Sequence, residues 1–177
     1  MKKPSIPFIM FIAMISLLSS CSTIPKGVTA VNPFEKEKYL GKWYEIARFD
    51  FRFERGLNNT TAEYSLRNDG KIKVLNRGYD YENDEWRKAE GKAKFVSADT
   101  KAMLKVSFFG PFYSGYNVIA IDDEYKYALV SGSSLDYLWI LSRETSIPED
   151  IKNEYLKIAE GYGYETDNLL WIEHNPL

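Results

Sequence analysis

Few residues of this chain are suited to covalent or acid–base chemistry. Its one thiol is Cys21 and its one imidazole is His174, near opposite ends. A nucleophilic set needs a nucleophile, a base and an orienting group within reach of one another. None can be assembled from a tail histidine, so no catalytic residue is expected and His174 reads as an exposed tail residue. A metal or haem site would need ligands gathered in an interior, so neither a metal nor a cofactor is expected. Glu45 and Glu63 remain, but nothing in the sequence pairs them. Phe51-Arg52-Phe53-Glu54-Arg55 places two arginines among two aromatics. Guanidinium forks suit phosphates and carboxylates, so this segment reads either as a lid over an anionic head or as a solvated loop. The formal net charge is −2 with both signs interspersed, which points away from nucleic acid and from a polybasic membrane patch.

Cys21 has the most specific surroundings. Lys2 and Lys3 give a positive start, and an apolar run follows from Ile6 to Leu18. That run is about 13 residues, short of the ~20 that span a bilayer. With small residues before Cys21, it reads as a secretory signal peptide over residues 1–20. Leu18-Ser19-Ser20-Cys21 resembles the bacterial lipobox, which implies an acylated cysteine as the mature N-terminus. Ser22 follows, not Asp, and in a Gram-negative cell this fits a lipid anchor in the outer membrane. Residues 21–32 read as a lipidated N-terminus and flexible tether, small and polar with Pro25 and Gly27. Residues 33–177 form one domain. With a single cysteine, that domain has no internal disulfide.

Aromatics make up 15% of the chain, in keeping with a β-rich body. Short β-prone runs alternate with turn signals from Gly41 onward: 41–50, 61–68, 71–76, 86–97, 101–109, 115–122, 125–132 and 136–143. Asp69-Gly70 is a strong hairpin signal. The pattern predicts an all-β fold, an eight-stranded antiparallel up-and-down barrel without free edges. One C-terminal α-helix packs outside it. The spacing of Ile151, Tyr155, Ile158 and Tyr162 places that helix over 146–162, opened by a Ser146/Glu149 capping box with Pro148 in the first turn. Leu169–Ile172 reads as an extra short strand.

Alternation assigns the inner face. Ala62, Tyr64 and Leu66 face in, as do Ile72 and Val74, then Ala89, Gly91, Ala93 and Phe95, then Leu104, Val106 and Phe108. The small residues in this set favour a cavity over a filled interior, since an eight-stranded barrel is just wide enough for either.

Gly41-Lys42-Trp43 opens the first strand, and Trp139-Ile140-Leu141-Ser142-Arg143 precedes the helix. Together with the strand count and element order, they resemble the lipocalin family, and the longer strings 48–56 and 105–113 resemble its bacterial outer-membrane members. Asp122–Tyr127 stands where that family has a Thr-Asp-Tyr turn, but the Thr is missing. The resemblance implies that Arg143 packs over Trp43 to close the barrel floor, a cation–π contact of about 0.5–2 kcal/mol. It also implies a fatty acid or lysophospholipid as partner, in lipid storage or transport during envelope stress, and leaves a homodimer open. The expected ligand contacts are Tyr64, Phe95, Val106, Phe108, Tyr113 and Trp139. Trp139 shares parity with Leu141, and Tyr113 lies in the loop after Gly110-Pro111, near the expected mouth. Two other classes stand beside this one: a structural envelope lipoprotein with a filled barrel, and an isomerase on the same fold.

Overall fold

The computed structural model describes residues 22–175, so Cys21 and the segment before it lie outside the described residues. After a single-turn helix α1 (Lys36–Tyr39), the strands are β1 (Gly41–Arg48), β2 (Leu57–Leu66), β3 (Ile72–Asp80), β4 (Glu85–Phe95), β5 (Met103–Ser107), β6 (Ser114–Ile121), β7 (Tyr127–Ser131) and β8 (Leu138–Ser142). Each pairs antiparallel with the next, and β1 pairs with both β8 and β2, which closes the barrel. Helix α2 (Glu149–Gly161) lies outside, and β9 (Leu170–Trp171) adds to β1.

The β2–β3 hairpin forms where expected. Gly70 takes φ 75°, and Asp69 Oδ1 accepts from Lys71 N at 3.1 Å, the local bond that makes Asp a turn residue. Both strands run further than their alternation suggested. Their added residues, Leu57–Thr60 and Arg77–Asp80, are largely polar because they stand at the open end.

The open end also explains β9. Beyond Thr61, β2 leaves β1 at a bulge where Asn59 has φ 49°. The tail fills the gap: Ile172 N donates to Ile46 O and Glu173 O accepts from Asn59 N, both at 2.9 Å. His174 Nε2 lies 2.8 Å from Glu45 O. The ring is half-buried and edge-on to Tyr44, not an exposed tail residue as expected.

Helix α2 begins three residues later than its capping pattern indicated, and the box does not form. Ser146 offers its carbonyl to Ser142 Oγ at 2.8 Å, and Pro148 stands at the N-cap without a side-chain cap bond. Tyr155 and Ala159 face inward from α2, onto Ile46, Ala47, Ile119, Leu129, Leu138 and Ile140 on the outside of the barrel wall.

Residues 22–32 also depart from expectation, since they are not a free tether. Val28 and Ala30 are buried at 8% and 3% exposure. Val31 N donates to Val118 O and Val31 O accepts from Ala102 N, both at 2.9 Å. Apolar Ile24, Val28, Ala30 and Val31 make the segment a strap over the start of β6 and the barrel floor.

Candidate functional site

The interior is sealed at one end. Gly41 has φ 95°, a left-handed turn that glycine adopts without strain, and it brings the chain from α1 into β1. Trp43 follows, fully buried, and its Nε1 donates to Tyr39 O at 2.8 Å. The Arg143 guanidinium lies 3.8 Å from the Trp43 ring centroid. It also donates to the carbonyls of Lys38, Tyr39, Leu40, Lys42 and Tyr125 at 2.7–3.2 Å. The floor pair therefore has the arrangement the resemblance implied. The turn without its threonine still holds, since Asp122 Oδ1 accepts from Lys126 N at 2.7 Å and Tyr127 N at 2.6 Å.

Tyrosines fill the space above the floor. The hydroxyl of Tyr116 lies 2.6 Å from that of Tyr39 and 2.7 Å from that of Tyr64. Burial pushes all three phenols above their ordinary range, so they stay protonated and bond to one another. Tyr64 thus belongs to the packed lower interior, and Phe95 lies beside Phe34 of the floor, ring centroids 6.3 Å apart.

Val106, Phe108 and Trp139 stand on the interior wall and remain half-buried. Tyr113 is turned away from them. Its ring lies 5.1 Å and 5.7 Å from the ammonium groups of Lys94 and Lys105, which alternate outward between Ala93 and Phe95 and between Leu104 and Val106. The loop after Gly110 folds back over the outer wall, which alternation within strands does not reveal.

The small residues have mixed roles. Gly91 is small because Phe108 and Ser107 O lie across it, leaving no room for a Cβ. Ala93 is buried at 3%. Ala89, nearer the mouth, is exposed, and Ala62 is half-open. Leu66, expected inside, is 58% exposed because β2 has passed the floor there. The inward residues near the floor are therefore more deeply buried than those toward the mouth.

A buried polar cluster stands toward the mouth and was not anticipated. Arg48 is 2% exposed and Glu45 7%. Arg48 Nη1 donates to Glu45 Oε1 at 2.6 Å, and Nη2 to the carbonyls of Glu54 at 2.5 Å and Leu57 at 3.2 Å. Thr60 Oγ1 donates to Glu45 Oε1 at 3.2 Å, and Trp139 Nε1 to Glu54 Oε2 at 3.1 Å. Arg48 Nε has no partner within hydrogen-bond range and lies 4.0 Å from Glu54 Oε2. Two carboxyls share one guanidinium in a dry site. Burial and the charge of Glu54 outweigh Arg48 and push Glu45 up to about 8, so one carboxyl keeps its proton at neutral pH. Glu45 was legible as inward from its parity with Trp43. Arg48 was not, because a β-bulge between Glu45 and Ala47 reverses the alternation beyond it.

The mouth is lined by aromatics. Trp139 stacks on Tyr137 at 6.2 Å, Tyr137 meets Phe51 at 5.6 Å, Phe51 meets Phe53 at 5.2 Å, and Phe53 meets Phe109 at 6.1 Å. The run crosses from the β7–β8 loop through the β1–β2 loop to the β5–β6 loop. A cleft of about 420 Å³ opens beside it, between Asp50–Phe53 and Asp136–Tyr137. Within the segment read as a lid or a loop, Arg52 stands 4.4 Å over the Phe53 ring. Arg55 is instead paired with Asp50 at 2.6 Å. Among the described residues, no group of three His, Cys, Asp or Glu side chains is placed to hold a metal ion.

Residues 34–174 match the model of the lipocalin-like domain. The chain is 54% identical over 170 residues to the outer membrane lipoprotein Blc of Citrobacter freundii, covering 95% of this chain and 96% of that one. It is 55% identical over 159 residues to the protein of the same name from Escherichia coli K12, covering 89% and 90%. Insecticyanin from the tobacco hornworm Manduca sexta has the same fold, with a TM-score of 0.69 at 20% identity over 87% of this chain and 88% of that one.

Proposed function

The chain belongs to the lipocalin family, and on that premise we propose that its barrel is an open cup for one amphipathic lipid, a fatty acid or lysophospholipid. The observation that carries this reading is the gradient of burial along the inner wall. Along β5, Leu104 is buried whereas Val106 and Phe108 toward the mouth are half-open; along β4, Ala93 is buried and Ala89 exposed; along β8, Leu141 is buried and Trp139 half-open. In a filled barrel these central apolar positions would close on one another, as cores pack to crystal density. An acyl chain laid over them removes apolar area from water at about 25 cal/mol per Å². Arg48 and its two carboxyls stand beside that space, where a polar head meets partners that are already desolvated. The aromatic run from Trp139 to Phe109 gives the chain an apolar path inward.

Membrane attachment fits the same reading. Relatives more than half identical to this chain are named outer membrane lipoproteins, in agreement with the localisation expected from Leu18–Ser22. We propose cleavage before Cys21 and acylation of its thiol, with storage or transport of lipid during envelope stress as the role. Cys21→Ala should release the protein from membranes, and unchanged membrane fractionation would place the anchor elsewhere.

Titration of the soluble barrel with a fluorescent fatty acid or lysophospholipid should saturate near one ligand per barrel. The hydroxyl-linked tyrosines of the lower interior favour a second reading, a structural lipoprotein with a filled barrel. Absence of saturable binding would establish that reading in place of the first.

A further inference from the structure

The N-terminal strap fixes where the chain leaves the barrel. Thr23 O accepts from Asn117 Nδ2 at 2.7 Å and lies against Gly115, where no side chain would fit. Gly115 is the second residue of β6, just past the β5–β6 loop. The Asn117 amide also reaches the carbonyls of Ser131 and Gly132 at 3.3 Å and 3.1 Å, at the mouth end of β7. The strap therefore starts beside the mouth and runs to the floor at Val31. Ser22 is joined to Cys21 by one peptide bond, about 3.8 Å between Cα atoms. A free tether of residues 22–32 would reach about 20 Å in any direction, but a strap does not.

The same side of the mouth carries the two most exposed large aromatics of the described residues, Phe112 at 79% and Phe109 at 67%, with Phe53 beside them at 53%. Phe53 and Phe109 are in contact, with the Arg52 guanidinium over the Phe53 ring. The β3–β4 hairpin also exposes aromatics, Tyr81 and Trp86, but sets them among Glu82, Asp84 and Glu85. Phenylalanine rings on an interfacial surface bury at the headgroup–acyl boundary of a bilayer, and a guanidinium there binds phosphate oxygens.

We propose that the open rim rests on the bilayer surface, with Phe53, Phe109 and Phe112 in the headgroup region of a phospholipid membrane and Arg52 on its phosphates. This rests on acylation of Cys21, which would place the anchor beside these three rings. The mouth then opens onto the membrane, and the aromatic run leads from the lipid surface into the cup.

The test uses the lipidated mature chain in vesicles of phosphatidylethanolamine and phosphatidylglycerol. Acylation would occupy the only native thiol, so an introduced cysteine is the sole site for a nitroxide label. Labels at Phe112→Cys on the rim and Asp69→Cys at the floor are compared for collision with oxygen, which partitions into lipid, and with a water-soluble nickel chelate. The label at 112 should be several-fold richer in oxygen relative to nickel collisions than the label at 69. Equal, water-like values at both positions, in protein that floats with the vesicles, would overturn the orientation while leaving the anchor intact. Protein that fails to float would instead overturn the acylation reading. Spin–spin broadening at 112 with little access to either reagent would show a second copy of the chain on the rim, and would also overturn the proposal. Phe109→Ser with Phe112→Ser should make an otherwise rim-placed label at Phe53→Cys water-accessible, with near-UV circular dichroism confirming the fold.

Discussion

The two ends of the barrel use the same residue types in opposite ways. At the floor, Phe34, Tyr39, Trp43 and Tyr125 pack against one another and are at most 8% exposed. A single guanidinium, Arg143, satisfies five backbone carbonyls there. At the mouth, Phe53, Phe109 and Phe112 stand largely in solvent, and the buried guanidinium, Arg48, is divided between two carboxyls. Aromatic burial at the floor is completed by the chain itself, whereas at the mouth it is left for something else to complete. Floor substitutions should therefore be read in stability, and rim substitutions in binding.

The largest expected effect lies at the floor. Trp43→Ala should destabilise by ~3–5 kcal/mol, the cost of a large-to-small change in a packed core, seen as a lower denaturant midpoint. A midpoint close to wild type would erase the contrast between the ends. Arg48→Met comes next, at about 3 kcal/mol, because it strands two buried carboxyls without their cation. Adding Glu54→Gln to Arg48→Met should restore part of that loss. No recovery in the double variant would mean that Arg48 acts through packing alone.

A pH series sharpens the comparison further. Glu45 binds its proton more tightly in the folded state, so its contribution is fully present below the ordinary carboxyl range. It declines as pH rises and is lost near pH 8. Glu45→Gln should flatten that decline in the denaturant midpoint, and an unchanged slope would assign it to other groups. The smallest stability effect belongs to the rim. Phe109→Ser should stay within about 0.5 kcal/mol of wild type, as exposed sites usually do, yet alter the rate at which a fluorescent fatty acid enters and leaves. A clear loss of stability would show that Phe109 supports the fold.

Much of the fold was legible because its signals are local. Short β-prone runs between turn signals located the eight barrel strands, Asp69-Gly70 marked a hairpin, and the resemblance carried by Gly41-Lys42-Trp43 and Arg143 implied the floor pair. Side-chain periodicity inside a strand follows from backbone geometry alone. Reading failed where that periodicity ends. The bulge between Glu45 and Ala47 turned Arg48 inward, and the loop after Gly110 carried Tyr113 to the outer wall. Gly91 was read as space, but it is small because Phe108, on the neighbouring strand, needs its place.

By itself, the sequence determined the barrel and its outer helix, because β-prone runs, turn residues and helical spacing act over a few residues, while the floor pair was implied by the resemblance its two motifs carry. Only the tertiary structure decided that inward side chains are buried near the floor and half-open toward the mouth, that Glu45 and Glu54 share Arg48, and that residues 22–32 form a strap. Those features depend on segments far apart in the chain meeting in space, Thr23 on Asn117 and Glu54 on Trp139, and no local pattern encodes such a meeting.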